Sequence, residues 1–165
     1  MLADRWGVTN DEVARHYPCD DYVSSPSLQA WRGVTVHTRS DVLWPWVTQI
    51  QSAPYAYDWI DNLGHRSPHH LLNAPPPVPG QHFTRTANRP QGKLLSVDPQ
   101  VHYTGRVLGA VMSYVLVPVD GDSTRLLLKV VMSGRPWLWP IMSIGDLVMA
   151  RRQLLNLKRL AEGLS

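Results

Sequence analysis

The sequence has few cysteines, no long apolar run and no sign of a secretion signal, and each of these absences excludes a class of protein. It holds one cysteine, Cys19, in 165 residues, which excludes an intrachain disulfide framework and makes a reducing cytoplasm the expected location. We expect Cys19 to be an ordinary surface thiol. The chain has no apolar run of about 18 residues, so no membrane-spanning helix is predicted. Its first 21 residues lack the basic and apolar regions of a secretion signal, so none is expected.

An excess of charge of one sign is also missing. The chain carries 16 Lys and Arg against 13 Asp and Glu, a net charge of +3. That surplus is too small to indicate a nucleic-acid partner, and none is expected. With 44% hydrophobic and 18% charged residues, the composition is typical of a globular protein. The length is suited to a single domain that buries about two thirds of its unfolded surface.

Motifs of several reaction classes are absent as well. There is no Gly-rich phosphate loop and no Gly-x-Ser-x-Gly nucleophile elbow. Seven histidines occur without a Cys-x-x-Cys pair, so neither a metal site nor a cofactor is predicted. His82 and His102 fall in predicted strands. Each either points into a cavity, as a general acid or base near neutral pH, or is a surface or hydrogen-bonded residue.

What the chain does contain is a β-rich second half. "RGVTVHT" predicts one early strand. From Gln81, short β-branched runs are separated by turn residues, and they are "HFTRTA", "KLLSV", "VHYTGRV", "AVMSYVLVPV" and "TRLLLKVVMS". Asp98-Pro99 and Asp120-Gly121-Asp122 are typical of hairpin connections. Because no helical pattern intervenes, the runs predict an antiparallel meander.

Three segments predict helices. "SDVLWPWVTQI" predicts a short helix over about 41–51, capped by Ser40 or Asp41, with Pro45 near its first turn. "AYDWIDNL" predicts a second short helix that ends at Gly64. From about residue 141 the apolar residues occupy one arc of a long helix, and Leu147 and Leu154 belong to that arc. The opposite arc is basic, so the apolar face is expected to lie on the sheet.

The predicted fold class is therefore α+β: a curved antiparallel sheet wrapped around a long C-terminal helix, with two short helices after the first strand. Residues 1–30 are predicted to form an N-terminal extension that packs on a domain comprising residues 31–165. A sheet that wraps around a helix leaves a space between the two, closed at one end by the short helices.

This order of elements resembles the SRPBCC superfamily, the helix-grip fold of START lipid-transfer domains, the birch-pollen allergen and polyketide cyclases. It is most similar to a bacterial polyketide cyclase/dehydrase-like branch. The resemblance is carried by four stretches, "WGVTNDEVARHYPCDDYV", "WPWVTQI" with "YAYDWIDNL", "MSYVLVPVDGDSTRLLLKV" and "GDLVMARRQLLNLKRLAEG". It implies a helix-grip domain with an internal cavity. It does not specify an activity, because the fold hosts carriers, cyclases, receptors and cochaperone domains.

The chain departs from that branch at several positions. Cys19 stands where a Gly is more usual, and Met112 stands where a Trp is expected on the inward face. The spacer "QSAP" is shorter than the usual Gly-rich one, and the loop "NAPPPVPG" is unusually rich in proline. These changes are expected to reshape the mouth and lining of the cavity.

Strand alternation selects the candidate ligand-binding residues. Met112, Tyr114 and Leu116 share one side of a strand, and the resemblance implies that this side faces the helix. Leu126, Leu128 and Val130 of the partner strand are expected to face the same way, which leaves Arg125 and Lys129 in solvent. The full set of candidate residues is Tyr55, Tyr57, Trp59, His102, Met112, Tyr114, Leu116, Leu128, Leu147 and Leu154. The alternative for each is plain core packing, and the aromatics of residues 55–59 either line the cavity rim or anchor the short helices.

Three functions remain open from the sequence. The first is binding of a hydrophobic small molecule, such as a lipid, fatty acid or polyketide-like aromatic, by a carrier or sensor. The second is a cyclase or dehydratase that uses His and Tyr residues in the cavity. The third is a protein-interaction module with an apolar groove. The basic face of the last helix is expected to be solvated. The alternative is transient contact with an anionic membrane, which the nearby Trp137 and Trp139 favour.

Overall fold

The computed structural model describes residues 4–55, 66–134 and 139–163, of which 139–148 are described as helix only. Three α-helices are present in this part of the chain, α1 (Asn10–Ala14), α2 (Ser40–Thr48) and α3 (Trp139–Ala161), with 3-10 turns at Pro18–Tyr22 and Gln49–Gln51. The strands are β1 (Arg5–Trp6), β2 (Leu28–Val36), β3 (Thr84–Thr86), β4 (Arg89–Gln91), β5 (Lys93–Asp98), β6 (His102–Val107), β7 (Ala110–Pro118) and β8 (Thr124–Met132).

Six of the strands form one sheet in the order β1-β2-β8-β7-β6-β5, and β3 and β4 form a separate hairpin. The predicted antiparallel meander is confirmed for β5 to β8. The sheet as a whole is mixed, because β1 pairs with β2 in parallel. The early strand and the long C-terminal helix are also confirmed, so the fold class is the predicted α+β helix-grip arrangement.

The register between β7 and β8 sets which side chains share a face. Met112 lies opposite Val130, and Tyr114 lies opposite Leu128. All four belong to or pack against the core cluster beneath α3, while Val115 and Val131 belong to a second cluster on the other side. The predicted alternation is therefore confirmed. We call the side facing α3 the inner face and the opposite side the outer face.

Helix α3 lies on the inner face with its apolar arc. Ala150, Leu154, Leu157 and Ala161 are buried, whereas Arg151, Arg152 and Arg159 are exposed. This spacing of buried residues, three and four apart, is what a helix with one apolar stripe requires. The amphipathic helix inferred from the sequence is thus confirmed over its described side chains.

The outer face is covered by the N-terminal segment, which we define as residues 4–24, and this corrects one expectation. Arg125 and Lys129 do not extend into solvent. Arg125 binds Glu12 through Nε–Oε1 at 2.7 Å and a second nitrogen–Oε2 contact at 2.8 Å. Lys129 is 5% exposed and its Nζ lies 2.6 Å from Oδ1 of Asp20. The strand alternation was correct, but the period-2 pattern cannot reveal a second layer on the polar side.

Cys19 belongs to this outer layer and is not a surface thiol. It is fully buried beside Tyr17, and its backbone N–H donates to Oγ of Ser113 at 2.9 Å. Burial raises the pKa of the Cys19 thiol to about 11, because the thiolate would lose its hydration. The expectation of an exposed thiol was wrong because the polar residues around Cys19 in sequence pair with the sheet.

Helix α2 differs in detail from its prediction. The helix begins at Ser40 with Arg39 as the N-cap, without a side-chain cap, so neither Ser40 nor Asp41 caps it. Pro45 is inside the helix rather than in its first turn. Because proline has no backbone N–H, it cannot donate to the carbonyl one turn earlier. The second predicted helix, in "AYDWIDNL" with its end at Gly64, falls on residues 56–64 and lies outside the described part of the chain.

Candidate ligand-binding cavity

A cavity of about 200 Å³ lies between the inner face and α3. Strands β6, β7 and β8 form its floor, α3 forms one wall, and the segments after α2 and before β3 form the others. Its described lining consists of Ile50, Pro54, Phe83, Thr84, Val107, Met112, Tyr114, Leu128, Val130, Met149, Ala150 and Gln153. None of these lining side chains carries a formal charge, so the described wall is apolar with a few neutral polar groups.

The ring of Phe83 stacks on two tyrosine rings beside the cavity. The ring centroid of Phe83 lies 5.2 Å from that of Tyr103 and 6.3 Å from that of Tyr114. Phe83 can lie against β6 because residue 105 is glycine: a Cβ at Gly105 would be 2.0 Å from Cδ2 of Phe83. Glycine inside a strand often marks such a close approach. The Tyr103 hydroxyl then donates to the Phe83 carbonyl at 2.7 Å and fixes the loop that carries the ring.

A chain of hydrogen bonds crosses the cavity wall from the sheet to α3. The Tyr114 hydroxyl donates to Oε1 of Gln153 at 2.5 Å, and Nε2 of Gln153 donates to the Pro54 carbonyl at 2.5 Å. The Tyr114 oxygen also lies 3.9 Å from Sδ of Met112. The sequence predicted Tyr114 as the polar group of the inner face, and it lies in the lining. Its partner Gln153 was not anticipated.

Hydrogen bonds also fasten the loop before β3 to the end of the 3-10 turn Gln49–Gln51. Nε2 of Gln51 donates to the His82 carbonyl at 3.0 Å, and Nε2 of His82 lies 3.0 Å from the Gln51 carbonyl. Oγ1 of Thr84 donates to the Ile50 carbonyl at 2.8 Å. These bonds hold Ile50 and Thr84 in the lining. His82 is therefore a hydrogen-bonded residue of the rim, with its ring bonded to the backbone carbonyl of Gln51.

Five of the ten candidate residues lie on or beside the cavity wall. Met112, Tyr114 and Leu128 line it. Leu116 and Leu154 are buried in the same core cluster but are not among the described lining residues. For these two, side-chain packing against the sheet and helix accounts for their burial. Ligand binding by any of the five remains a prediction.

His102 is placed away from the cavity, which corrects the expectation that it points inward. It precedes Tyr103, an inner-face residue, so the alternation of side chains sends it to the outer face. Its Nδ1 lies 3.3 Å from Oγ1 of Thr104. Burial lowers the pKa of the His102 imidazole, against a smaller opposing effect of the Asp98 carboxylate. The sequence located the strand correctly but not which face the histidine occupies.

Tyr55 anchors a loop rather than lining the described wall. It is 2% exposed and its backbone has φ of 56°, the left-handed region that non-glycine residues rarely adopt. Its hydroxyl accepts from Nε2 of Gln49 at 2.5 Å and donates to the Pro68 carbonyl at 2.7 Å. Its carbonyl accepts from Nδ2 of Asn156 on α3 at 2.9 Å. Of the two roles considered for the aromatics, anchoring is the one observed for Tyr55. Tyr57, Trp59 and the side chain of Leu147 lie outside the described residues.

Over the described ranges, no group of three or more His, Cys, Asp or Glu side chains is arranged to hold a metal ion. Over those ranges, too, no helix combines the length and apolar character needed to cross a membrane.

Phe83, Tyr103, Ile50 and Gln153 contribute to the cavity region but were missed from the sequence. One signal was available: Gly105 interrupts a β-branched strand, and Phe83 is the only phenylalanine in the chain. Glycine at such a position indicates close approach of another group. The partner of Tyr114 had no comparable signal, since Gln153 looks like any polar residue on an amphipathic helix.

Comparison with known proteins supports the fold. No family model and no curated protein matches the sequence. Among solved structures, protein MLL2253 from Mesorhizobium loti is 14% identical, with a TM-score of 0.55 over 83% of this chain and 98% of its own. A Thermobifida fusca protein is 13% identical, with a TM-score of 0.52 over 83% and 95%. A conserved protein of unknown function from Enterococcus faecalis is 10% identical, with a TM-score of 0.50 over 81% and 71%.

At this level of identity the similarity establishes architecture and not activity. The similarity extends over 81–83% of this chain. The resemblance noted in the sequence is thereby confirmed at the level of the fold, and the chain has the helix-grip fold.

Proposed function

We propose that this protein binds a small hydrophobic molecule in the cavity between the sheet and α3, as a carrier or sensor. The observation that carries the proposal is the cavity itself: about 200 Å³ of space between the sheet and α3, partly open to solvent, with no charged side chain in its described lining. Protein interiors are packed nearly as densely as organic crystals, so an apolar recess of this size next to the core is a candidate ligand site. No described side chain occupies it.

The dimensions favour a compact ligand. An engineered apolar cavity of about 150 Å³ stays dry and binds benzene, whereas drug-sized ligands use about 300–1,000 Å³. The present volume therefore suits a molecule of one or two rings better than an extended acyl chain. Among the hydrophobic classes considered from the sequence, this supports a polyketide-like aromatic over a lipid or a fatty acid.

The chemistry of the lining supports the same class. Phe83 and Tyr114 offer ring faces and edges to an aromatic ligand. Met112 and Met149 contribute polarizable thioethers, which pack favourably against rings and adapt to their outline. A fatty acid carboxylate would need a cationic partner, and the described lining provides none. A neutral aromatic ligand fits the wall without an unpaired charge.

The pair Tyr114 and Gln153 supports a defined orientation of the ligand. Both side chains line the cavity. They are hydrogen-bonded to each other, and Gln153 also donates to the Pro54 carbonyl. A ligand hydroxyl or carbonyl at this point would join an existing chain of hydrogen bonds rather than satisfy an isolated group. The pair would then select a polar substituent on one end of an otherwise apolar ring.

The cyclase or dehydratase alternative requires a titratable group within hydrogen-bond reach of the ligand. His102 lies on the outer face, and the ring of His82 is bonded to the Gln51 carbonyl. Within the described lining, Tyr114 is the one titratable side chain. These positions favour binding over turnover, so we do not propose catalysis for this site.

The proposal is tested by native mass spectrometry of gently purified protein, followed by melting measurements with a panel of one- and two-ring aromatics and fatty acids. We expect a bound small aromatic, or a higher melting temperature with neutral aromatics and none with fatty acids. An empty protein whose melting temperature no aromatic compound raises would refute the proposal.

A blocking variant locates the binding site. Ala150→Phe places a ring in the cavity from α3, whereas Arg159→Phe places the same ring on the exposed face of the same helix. We expect Ala150→Phe to abolish the ligand-induced rise in melting temperature and Arg159→Phe to retain it. Both variants are first compared with the wild type by circular dichroism, so that loss of folding is distinguished from loss of binding. Unchanged binding in a folded Ala150→Phe protein would place the ligand elsewhere.

A further inference from the structure

The turn between β6 and β7 presents an apolar side chain at high exposure. Leu108 is 90% exposed and has φ of 49°, and the following Gly109 has φ of 82°. Two central residues with positive φ are typical of a type I′ hairpin turn, where asparagine, aspartate and glycine are preferred. Single exposed apolar residues are ordinary on protein surfaces. Leu108 is unusual because its position is unfavourable both for its backbone, which has positive φ, and for its side chain, which is exposed. This suggests that the side chain has a role outside the fold.

Two cations lie beside this turn, and the hairpin that enters next to it carries two more. Arg106, two residues before Leu108, pairs in register with Lys93 of β5, and both are exposed. The β3–β4 hairpin, which carries Arg85 and the exposed Arg89, joins β5 through Gly92. A Cβ at Gly92 would be 2.2 Å from the Arg106 carbonyl, so the hairpin enters the sheet directly beside the turn.

Carboxylates are scarce on the same edge. Between Gln81 and Val119 the only acidic residue is Asp98, at the far end of β5 from Lys93. Asp98 lies five positions along the strand from Lys93, a distance of about 16 Å. In the neighbouring N-terminal segment, Asp20 is bound by Lys129. Asp21, next to Tyr22, is an exposed carboxylate, and it is outnumbered by the exposed cations Lys93, Arg106 and Arg89. The electrostatic character of the turn region is therefore basic.

An aromatic residue completes the surface. Tyr22 is 40% exposed and lines a surface depression together with Arg106 and Gly109. Tyrosine is enriched where proteins meet the boundary between lipid and water. We define the turn surface as Tyr22, Lys93, Arg106, Leu108 and Gly109.

We propose that the turn surface docks on an anionic lipid bilayer, with Leu108 inserted among the acyl chains and the cations facing the headgroups. A projecting apolar residue flanked by basic and aromatic ones is the arrangement that an interfacial anchor requires. A protein partner would be expected to meet a broader apolar core with several anchors. The surface adjoins the cavity, because Val107 lines the cavity and directly precedes Leu108. Docking does not depend on what the cavity holds.

The test is co-sedimentation of the full chain with phosphatidylcholine vesicles and with vesicles that also contain phosphatidylglycerol. We expect binding to the anionic vesicles only, weakened by salt. Leu108→Asn is the decisive variant, because asparagine suits the turn and is expected to leave folding intact. The matched control is Val119→Asn, since Val119 is 58% exposed beyond the opposite end of β7.

We expect Leu108→Asn to weaken vesicle binding about tenfold or more, from the loss of one inserted leucine. Arg106→Gln is expected to weaken it about fivefold, the effect of one cation near an anionic surface. Val119→Asn should bind like the wild type. Absence of wild-type binding to anionic vesicles, or full binding by Leu108→Asn, would overturn the proposal. If Arg159→Gln alone abolished binding, the basic face of α3 would be the membrane surface and the turn would not.

Discussion

The contact between Glu12 and Arg125 is predicted to hold the N-terminal segment on the sheet, and Cys19 provides a probe of that contact. The Glu12 carboxylate accepts two hydrogen bonds from the Arg125 guanidinium, and the two side chains are only 17% and 19% exposed. Cys19 is completely buried by the same segment. A thiol reagent can therefore reach Cys19 only when the segment opens, so its reaction rate measures the opening equilibrium.

The magnitude for Glu12→Gln follows from the hydrogen bonds that are lost. Hydrogen bonds to charged groups contribute about 1.5–3 kcal/mol in net terms, and a neutral replacement retains about 0.5–1.5 kcal/mol. The difference is about 1–1.5 kcal/mol for each of the two hydrogen bonds, so the expected loss is about 2–3 kcal/mol of opening free energy. Since about 1.4 kcal/mol corresponds to a factor of ten, the Cys19 reaction should accelerate about 30- to 150-fold.

The assay is the rate of Cys19 modification by an aromatic disulfide (DTNB) at pH 8 under native conditions. The chain has no other cysteine, so the signal has one source. Asp41→Asn is the matched control, because Asp41 also pairs with an arginine, Arg39, at the start of α2, and neither residue belongs to the N-terminal segment. Its rate should equal that of the wild type. A wild-type thiol that reacts as fast as a free peptide, or a Glu12→Gln rate equal to the wild type, would contradict this account of the segment.

Two further predictions concern packing and pH. Gly105→Ala is expected to destabilise the fold by about 1–3 kcal/mol, because its methyl group would meet the buried ring of Phe83; urea unfolding checks this, and Gly121→Ala, which meets nothing within 4 Å, should have little effect. Burial raises the pKa of Glu12. The hydrogen bonds and charge of Arg125, together with the hydrogen bond from a backbone N–H, lower the pKa by more than burial raises it, so the net shift is downward. The resulting stabilisation is present above the unfolded value of about 4.3 and is lost as the pH falls through the folded pKa. Urea midpoints measured between pH 3 and 7 should therefore fall on acidification more steeply in the wild type than in Glu12→Gln, and equal slopes would refute it.

The prediction of the strands and of α3 succeeded because both depend on local periodicity. Alternation in "VMSYVLVP" placed Met112 and Tyr114 on one face, and the register with β8 confirms it. A single apolar stripe predicted the buried side of α3. These patterns are written in consecutive residues, so no tertiary information is needed to detect them.

The sequence by itself thus determined the fold class, the inner face of the sheet, and the presence of a helix lying on it. Only the tertiary structure decided what covers the outer face, where Lys129 and Cys19 are buried instead of exposed. It also decided which polar groups meet across the cavity, as in the pair Tyr114 and Gln153, and that His102 lies outside it. The reason is physical: periodicity reports which side of an element is apolar, whereas contacts between residues about 40 or 100 positions apart depend on how the layers are assembled.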